Sequence, residues 1–276
     1  MRTLVHLSDL HFGRIDESII APLIVAIHAA QPDLVVTSGD LTQRARTAEF
    51  KSAQEFLAAL PSPQIVVPGN HDIPLNNLVR RFIDPLQKYQ RYICDSLAPV
   101  FIDAEIAVAG INTARSLTIK DGRINAEQMD RMRAQLASAD EVVTKIIVTH
   151  HPFDIGGVFN QTQLVGKAQQ LMPELTELKI DLLLAGHHHI AHAENTIVNY
   201  PGLKRAALVV QAGTATSTRG RGEVNSFNLL RIETGRIRVE RHEWRAEQSG
   251  FSRAAVSEFH DGPQGWFKAS VDVGLT

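Results

Sequence analysis

Short apolar runs rich in β-branched residues alternate with amphipathic stretches along the first part of the chain. Runs at 34–37 and 65–67 are bounded by polar residues, Gly or Pro and predict buried strands. Residues 17–31 and 46–60 each place apolar side chains near one face of a helix. Together with the strand pattern at 3–7, these runs predict that the first third of the chain folds as β-α-β-α-β.

The rest of the chain departs from this rhythm. A longer helical stretch is predicted over 75–97, directly after a polar cluster that it could cap. Strands are then predicted at 99–103, 106–112, 143–149 and 181–185, and helices at 126–139 and 165–178. After residue 190 the predicted helices stop, and four segments look like consecutive strands of an antiparallel meander: 193–199, 206–211, 224–232 and 236–244. Periodicity alone therefore indicates a mixed α/β domain.

The segment 246–276 is rich in Gly, Ser and aromatic residues but shows little periodicity. Its four large rings are Phe251, Phe259, Trp266 and Phe267. An unstructured tail seldom carries so many apolar rings, so we expect this segment to pack on its own domain or on a partner subunit. The expected organisation is one domain over 1–245, with 75–97 as a cap segment, followed by this C-terminal tail.

Composition narrows the class of protein further. The chain of 276 residues is 44% hydrophobic and 21% charged, which is typical of a globular protein, and its net charge of −2 gives no basic face for nucleic acid. No apolar stretch reaches the ~18 to 20 residues of a membrane span. A single Cys94 excludes an internal disulfide, and the N-terminus begins with a strand pattern instead of an apolar leader. We therefore expect a cytoplasmic protein with neither nucleic-acid nor membrane partners.

Five polar clusters each follow directly on an apolar run. They are Asp9-Leu10-His11, Gly39-Asp40, Gly69-Asn70-His71-Asp72, His150-His151-Pro152 and Gly186-His187-His188-His189. Each cluster alone usually indicates a turn or a helix cap. Together they hold seven of the twelve His, and imidazole with carboxylate suits Zn, Fe and Mn better than Ca or Mg. Because the carboxyl ends of strands line the ligand-binding crevice of α/β sheets, the clusters predict one two-metal hydrolytic site.

This ordered set resembles the calcineurin-like metallophosphoesterase superfamily, whose pattern is Asp-x-His, Gly-Asp, Gly-Asn-His-Asp or Glu, a later His, and Gly-His-x-His. All five blocks are present in order, without a departure at a ligand position, and the resemblance covers residues 3 to about 245. Within the superfamily, the adjacent His-His-Pro and the chain length look most like the bacterial class III cyclic-nucleotide phosphodiesterases and their glycerophosphodiesterase relatives. The resemblance implies a four-layer α/β/β/α sandwich of two mixed sheets.

Carried over block by block, the resemblance implies a pair of metal ions with Asp40 as the bridge. One ion would take Asp9, His11, Asp40 and His189, and the other Asp40, Asn70, His150 and His187. The ions would be divalent or mixed-valence Mn, Fe or Zn, among which the sequence does not choose. Asp9 and His11, like His187 and His189, stand two residues apart, so we expect each pair on one side of an extended segment and His188 pointing elsewhere.

The metal charge exceeds that of the two carboxylates and so favours an anionic phosphate ester as substrate. The resemblance implies a binuclear metal-dependent phosphodiesterase that hydrolyses small organic diesters, cyclic nucleotides or glycerophosphodiesters, by in-line attack of a metal-bound hydroxide. His71 would be the general acid, and Asp72 would orient it or cap the following helix. A phosphomonoesterase or nucleotide pyrophosphatase with the same site stays open. A non-catalytic binding module is expected to have lost ligands that this chain retains.

Other polar residues near these motifs receive a plainer interpretation. His151 and His188 either line the substrate pocket or hydrogen-bond to a ligand residue. Arg115, Arg219 and Arg221 suit phosphate, although a solvated loop charge is the favoured interpretation of each. Five His outside the clusters are assigned no role: His6, His28, His192, His242 and His260. Relatives in the superfamily often pair, so a homodimer is the expected alternative to a monomer.

Overall fold

The computed structural model describes residues 1–75, 77–118, 121–140, 142–155, 164–219 and 222–269. Thirteen strands and six α-helices are seen in these ranges. The strands are β1 (Arg2–Leu7), β2 (Leu34–Ser38), β3 (Gln64–Val67), β4 (Val100–Ile102), β5 (Ile106–Gly110), β6 (Thr144–Val148), β7 (Leu182–Ala185), β8 (His192–Asn195), β9 (Leu208–Gln211), β10 (Ser226–Glu233), β11 (Arg236–Arg245), β12 (Gly250–Gly262) and β13 (Gly265–Lys268). The helices are α1 (Ile20–Ala29), α2 (Thr47–Ala58), α3 (Leu78–Ile83), α4 (Gln87–Tyr92), α5 (Ala126–Leu136) and α6 (Ala168–Glu177).

The strands form two mixed sheets. The first has the order β13-β12-β11-β10-β1-β2-β3, in which β1, β2 and β3 are parallel and the others antiparallel. The second has the order β4-β5-β6-β7-β9-β8, in which the four central strands are parallel and each edge strand is antiparallel. The β-α-β-α-β start predicted from the sequence is therefore confirmed.

Alternate residues of the central strands enter different apolar layers, because successive side chains of a strand point to opposite faces. Val5 of β1 packs with α1 and α2 on the outer face of the first sheet, whereas its neighbour Leu4 lies between the sheets. In β6, Ile147 packs with α5 and α6, and Ile146 lies between the sheets. Helices thus cover both outer faces, and the predicted four-layer α/β/β/α sandwich is confirmed.

The region 75–97, predicted as one helical stretch, contains two short helices, α3 and α4. Pro85 separates them, and a proline disfavours helical backbone at the preceding residue, here Asp84, whose φ and ψ are −150° and 77°. Asn76 falls outside the described residues. The sequence prediction was wrong here because it followed the amphipathic pattern past this proline.

The strands after residue 190 are divided between the sheets instead of forming one meander. β8 pairs with β9 at the edge of the second sheet, whereas β10 to β13 form a meander in the first. The segment with little periodicity contains β12 and β13, which the sequence analysis did not predict, and residues 270–276 lie outside the described part. None of the helices in the described ranges has the length and hydrophobicity required to cross a bilayer.

Candidate metal centre

The five polar clusters meet at one edge of the sandwich, because each follows a strand of the parallel portions. They come after the ends of β1, β2, β3, β6 and β7. One donor atom from each of Asp9, His11 and His189 lies within 4.8 Å of the others, and the same holds for Asp9, Asp40 and His150. The seven residues expected as ligands are therefore brought together. Asn70 Oδ1 and His187 Nδ1 complete the group, each 3.2 Å from His150 Nε2.

Five of these seven residues have left-handed backbone conformation. Their φ angles are 53° at Asp9, 52° at His11, 53° at Asp40, 75° at His187 and 59° at His189. The expectation of an extended segment at the two His-containing pairs was therefore wrong. Non-glycine residues seldom adopt this conformation, which costs on the order of 1 kcal/mol or more and persists where surrounding contacts enforce it.

Hydrogen bonds on both sides of the chain enforce the left-handed conformation after β1. The N–H of Asp9 donates to Gly39 O at 3.1 Å, and the N–H of His11 donates to Asp40 O at 2.9 Å. On the other side, Thr214 Oγ1 donates to Asp9 O at 2.7 Å. The first two clusters are thus joined by backbone hydrogen bonds, which fix the spacing of their side chains.

Two glycines of the motifs are required because other groups approach them closely. A Cβ on Gly69 would lie 2.1 Å from Asp40 Oδ1, and a Cβ on Gly186 would lie 1.8 Å from Ser8 Oγ. Contacts this short are not compatible with any side chain. The loops after β3 and β7 can therefore close on the first two clusters only with glycine at these positions.

Backbone carbonyls set the orientation of two imidazoles. His150 Nδ1 lies 2.8 Å from Ser38 O, and His189 Nδ1 lies 3.2 Å from Arg219 O. A carbonyl can only accept, so Nδ1 donates in both cases and Nε2 of each neutral ring presents a lone pair to the site. These Nε2 atoms lie 3.4 Å from Asp40 Oδ2 and 3.1 Å from Asp9 Oδ1, respectively. Histidines that bind metals are held in this way.

The buried carboxylates require a positive charge. Burial would raise the pKa of Asp9, but His11 and His189 outweigh it and hold this pKa well below its usual range. Burial lowers the pKa of His150, yet the Asp40 carboxylate outweighs it and raises that pKa to about 9. In the chain alone a proton on His150 supplies the charge that the two carboxylates demand. A cation would supply the same charge.

The donor set fits metal ions on a further observation. Asp9 Oδ1 is buried and has no hydrogen-bond partner among the described residues, since His189 Nε2, 3.1 Å away, faces it with a lone pair. Buried polar atoms without partners are rare in folded proteins and call for an explanation such as a bound ion. Imidazole, carboxylate and amide donors are ligands that Mn, Fe and Zn accept. The residues present therefore fit a pair of such ions.

His71 lies at the edge of this group of donors, with one ring nitrogen within 4.8 Å of a donor atom of His11 and of Asp40. Its N–H donates to Asp40 Oδ1 at 2.8 Å, and its Nδ1 donates to Gln43 O at 2.9 Å. Nε2 then lies toward a cavity of about 240 Å³ lined in part by Asn70, His71 and Arg219. Burial lowers the pKa of His71 despite the opposing charge of Asp40. This ring has the position of a group that meets substrate.

Asp72 joins two of the loops. Its buried carboxylate accepts hydrogen bonds from the N–H groups of Leu41, Thr42 and Gly69, at 3.2, 2.9 and 2.9 Å. Burial, together with Asp40, raises its pKa to about 6. It therefore connects the loop after β2 to the turn at Asn70–Asp72, in place of the expected contact with the His71 ring or with a following helix.

Comparison with known proteins agrees with this geometry. A family model described as calcineurin-like phosphoesterase matches residues 2–191. The chain belongs to this family. The match contains all five clusters of the site, so the family resemblance noted in the sequence is confirmed.

Two curated relatives of this calcineurin-like phosphoesterase are phosphodiesterases by name. Glycerophosphodiester phosphodiesterase GpdQ from Enterobacter lignolyticus is 28% identical over 173 residues, which is 55% of this chain and 58% of the relative. The 3',5'-cyclic adenosine monophosphate phosphodiesterase CpdA from Escherichia coli K12 is 25% identical over 166 residues, 59% of this chain and 56% of the relative. The chain thus spans little more than half the length of these relatives.

Solved structures show the same fold. The purple acid phosphatase PPD1 from yellow lupin has a TM-score of 0.67 at 13% identity, covering 92% of this chain and 53% of that one. A dimetal phosphatase from Danio rerio has a TM-score of 0.64 at 14% identity, covering 93% of this chain and 98% of that one. At this level of identity the likeness concerns the fold alone.

Sequence reasoning named Arg219 as suited to phosphate but favoured a solvated position over one in the calcineurin-like phosphoesterase site. It is half-buried, and its guanidinium lies 3.1 Å from His71 Nε2, so the expectation of a solvated loop charge was wrong. By contrast, Arg115 donates to Gln128 Oε1 and lines a different cavity. Arg221 lies outside the described residues. Nothing in the local pattern around Arg219 distinguishes it from other loop arginines.

The two His of undecided role are adjacent to the ligand group. His151 Nδ1 is hydrogen-bonded to Thr113 Oγ1 at 2.8 Å, and the His151 ring centroid lies 4.6 Å from that of His187. One nitrogen each of His150, His151 and His187 lies within 4.8 Å of the others. His188 packs edge-on against His187, with ring centroids 4.9 Å apart. Both residues therefore support His187.

Proposed function

We propose that the protein is a binuclear metal-dependent phosphodiesterase that hydrolyses small organic phosphodiesters, namely cyclic nucleotides or glycerophosphodiesters. The observation that carries the proposal is the convergence of two buried carboxylates and four His on one edge of the fold, next to a cavity with His71 at its wall. The diester preference is supported by the names of two relatives, which act on glycerophosphodiesters and on a cyclic nucleotide.

Seven residues of the chain would hold the ions: Asp9, His11, Asp40, Asn70, His150, His187 and His189. Mn, Fe and Zn are the candidate metals, since this donor set accepts each of them. When bound, such a pair supplies an activated water and Lewis-acid stabilisation of the phosphoryl oxygens. Asp40 would be the bridge, because its Oδ2 faces both His150 Nε2 and His11 Nε2, at 3.4 and 3.7 Å, while Oδ1 accepts from His71 N–H.

His71 would deliver the proton to the departing alkoxide. Its Nδ1–H is held by Gln43 O, so Nε2 is the atom available for transfer at the cavity. Arg219 donates to that atom, so Nε2 carries no proton in this arrangement. A phosphoryl oxygen is a stronger acceptor for a guanidinium than an imidazole nitrogen, so bound substrate would draw Arg219 away. Nε2 would then take up a proton from solvent and pass it to the departing alkoxide.

The test is hydrolysis of bis(p-nitrophenyl) phosphate beside p-nitrophenyl phosphate by protein reconstituted with Mn²⁺. We expect the diester to be the better substrate and the Asn70→Ala variant to lose its cleavage. Gln54→Ala, which removes an exposed amide from α2, is the matched control and should behave as the wild type. Preference for the monoester would replace this proposal with a phosphatase, and no turnover of either compound would refute catalysis.

A further inference from the structure

Four arginine residues line the cavity beside His71: Arg14, Arg44, Arg81 and Arg219. The remaining described lining residues are amide, imidazole or apolar, so no carboxylate lies among them. A simple phosphodiester carries one negative charge, which the metal side of the site already attracts. The positive charge of this cavity therefore exceeds what such a substrate needs.

Arg81 has a structural role. Its side chain is 6% exposed and donates to the carbonyls of Pro74, Ser116 and Thr118, at 3.3, 2.7 and 2.6 Å. Those three bonds connect α3 to the segment at 116–118 and use the donors of the guanidinium. The donors of Arg81 are thus used within the fold, whereas Arg219 contacts Gln43 Oε1 and His71 Nε2 inside the cavity wall.

Arg14 and Arg44 are exposed, and the structure records neither an ion pair nor a side-chain hydrogen bond between them and any residue it describes. The carboxylate adjacent in the fold is that of Glu49, which accepts from the backbone N–H groups of Arg44 and Arg46, at 2.8 and 3.1 Å. Glu49 is buried and committed to these bonds. Glu49 therefore neutralises neither guanidinium group, and both remain charged beside the cavity.

Backbone hydrogen bonds hold the three arginine-bearing loops together. Thr218 N–H donates to Arg14 O at 3.1 Å, and Ile15 pairs with Ser217 in an isolated bridge. Gln43 N–H donates to Phe12 O at 2.9 Å, which joins the loop of Arg44 to the loop of Arg14. The arginines thus stand on a fixed support beside the proposed metal site, since the segments of Arg14 and Arg44 also carry the expected ligands Asp9, His11 and Asp40.

We propose that Arg14, Arg44 and Arg219, the arginine rim, bind a second phosphoryl group of the substrate. The preferred substrate class is then a phosphodiester that bears a further phosphate, with the scissile diester at the metals and the other phosphate at the rim. Guanidinium groups match phosphate oxygens in a bidentate geometry, which gives this recognition its chemical basis. This inference rests on the proposed phosphodiesterase function.

A pair of substrates that differ only in the second phosphate tests the inference. The 5'-(p-nitrophenyl phosphate) diester of thymidine has one anionic group, and its 3'-phosphorylated counterpart has two; both release p-nitrophenol from the same diester. We expect Mn²⁺-loaded wild type to prefer the 3'-phosphorylated compound in kcat/KM by about tenfold or more, as a charge-assisted contact implies. Calorimetric binding of thymidine 3',5'-bisphosphate against thymidine 5'-monophosphate gives a readout without turnover.

Variants identify the residues responsible. Arg14→Gln and Arg44→Gln should each reduce the preference for the 3'-phosphorylated substrate by about fivefold, because each removes one guanidinium from the rim. Arg46→Gln is the matched control: its side chain is 75% exposed on the same loop but lies near Glu49 instead of lining the cavity. This control should keep the preference of the wild type.

Each outcome decides one of the two proposals. If the wild type has equal kcat/KM for both diesters, the proposed role of the arginine rim is wrong, but the proposed phosphodiesterase function still stands. A preference that Arg14→Gln and Arg44→Gln do not reduce, or that Arg46→Gln reduces equally, would also overturn the role of the rim. If neither diester is cleaved, the proposed function fails, and equal affinities for the bisphosphate and the monophosphate would then reject the rim independently.

Discussion

His150 donates its Nδ1–H to the backbone carbonyl of Ser38 at 2.8 Å, and Ser8 Oγ donates to the same carbonyl at 3.2 Å. This carbonyl is at the last residue of β2, two positions before Asp40. The strand that precedes Asp40, the proposed bridge, therefore also orients the His150 imidazole opposite to it. The segments that follow β1, β2 and β6 and carry three of the five motif clusters therefore meet at this carbonyl.

Replacing Asp40 should remove the metals. In Asp40→Asn, the charge that faces His150 and His11 is lost, so we expect the metal content per chain to fall and diester hydrolysis to drop by about a hundredfold or more. Metal content after dialysis is measured by elemental analysis. Asp130→Asn, at a side chain 69% exposed, is the control, and full metal content in Asp40→Asn would contradict the assignment.

Substrates that differ in their leaving group can separate the role of His71 from metal binding. An alkoxide needs a proton on departure, whereas p-nitrophenolate is stable without one. His71→Gln should therefore slow an alkyl phosphodiester by about 10²-fold or more and bis(p-nitrophenyl) phosphate much less. His28→Gln, on the exposed side of α1, is the control. Equal losses on both substrates would argue against proton delivery by His71.

Glycine at 186 is predicted to be indispensable. In Gly186→Ala the new Cβ would lie 1.8 Å from Ser8 Oγ and 2.5 Å from Asp9 Oδ2, so the loop after β7 must shift. We expect a loss of about 1–3 kcal/mol in the free energy of unfolding, measured in urea, together with weaker metal binding. Gly202→Ala, where nothing lies within 4 Å of the added Cβ, should have neither effect. A fully stable Gly186→Ala protein would show that the loop tolerates displacement.

The position of the site was predictable from sequence because it depends on strand order. Asp40 and His150 each follow a buried apolar run, and parallel strands bring such positions to one edge. The left-handed backbone at Asp9 and His11 was not predictable, since it is imposed by hydrogen bonds to residues 39–40 and to Thr214, far away in the chain. Sequence periodicity carries no information about such contacts.

Other elements were missed for equally specific reasons. β12 is mostly exposed or half-buried, so it lacks the alternation of apolar and polar residues by which a strand is recognised. Arg219 reaches His71 only because the loop at 214–219 pairs with the loop at 14–16. A contact between loops about 200 positions apart cannot be recognised from the local sequence of either loop.

Stability should depend on pH through His6, which sequence analysis left without a role. It is fully buried, with Nε2 2.9 Å from Ser38 Oγ, and burial lowers its pKa to about 3 despite the Asp9 charge. The unfolded chain binds a proton near pH 6.5, so unfolding takes up a proton between these values. This contribution to stability is complete above pH 6.5 and is lost progressively as the pH falls toward 3.

Urea unfolding of metal-free wild type and His6→Gln between pH 7 and pH 5 measures this linkage. Because of His6, the free energy of unfolding of the wild type should fall by roughly 2 kcal/mol more than that of the variant between pH 7 and pH 5. Stability curves that run parallel for the two proteins would show that His6 is not the group responsible.

Phe259 of β12 and Trp266 of β13 lie in the apolar layer between the two sheets, and Trp266 Nε1 donates to Asp181 Oδ1 at 3.0 Å. The last of the five motifs ends at His189, yet the interior that supports them is completed by these later rings. A polypeptide that ended shortly after His189 would therefore keep every expected ligand. Its hydrophobic interior, however, would be exposed to water.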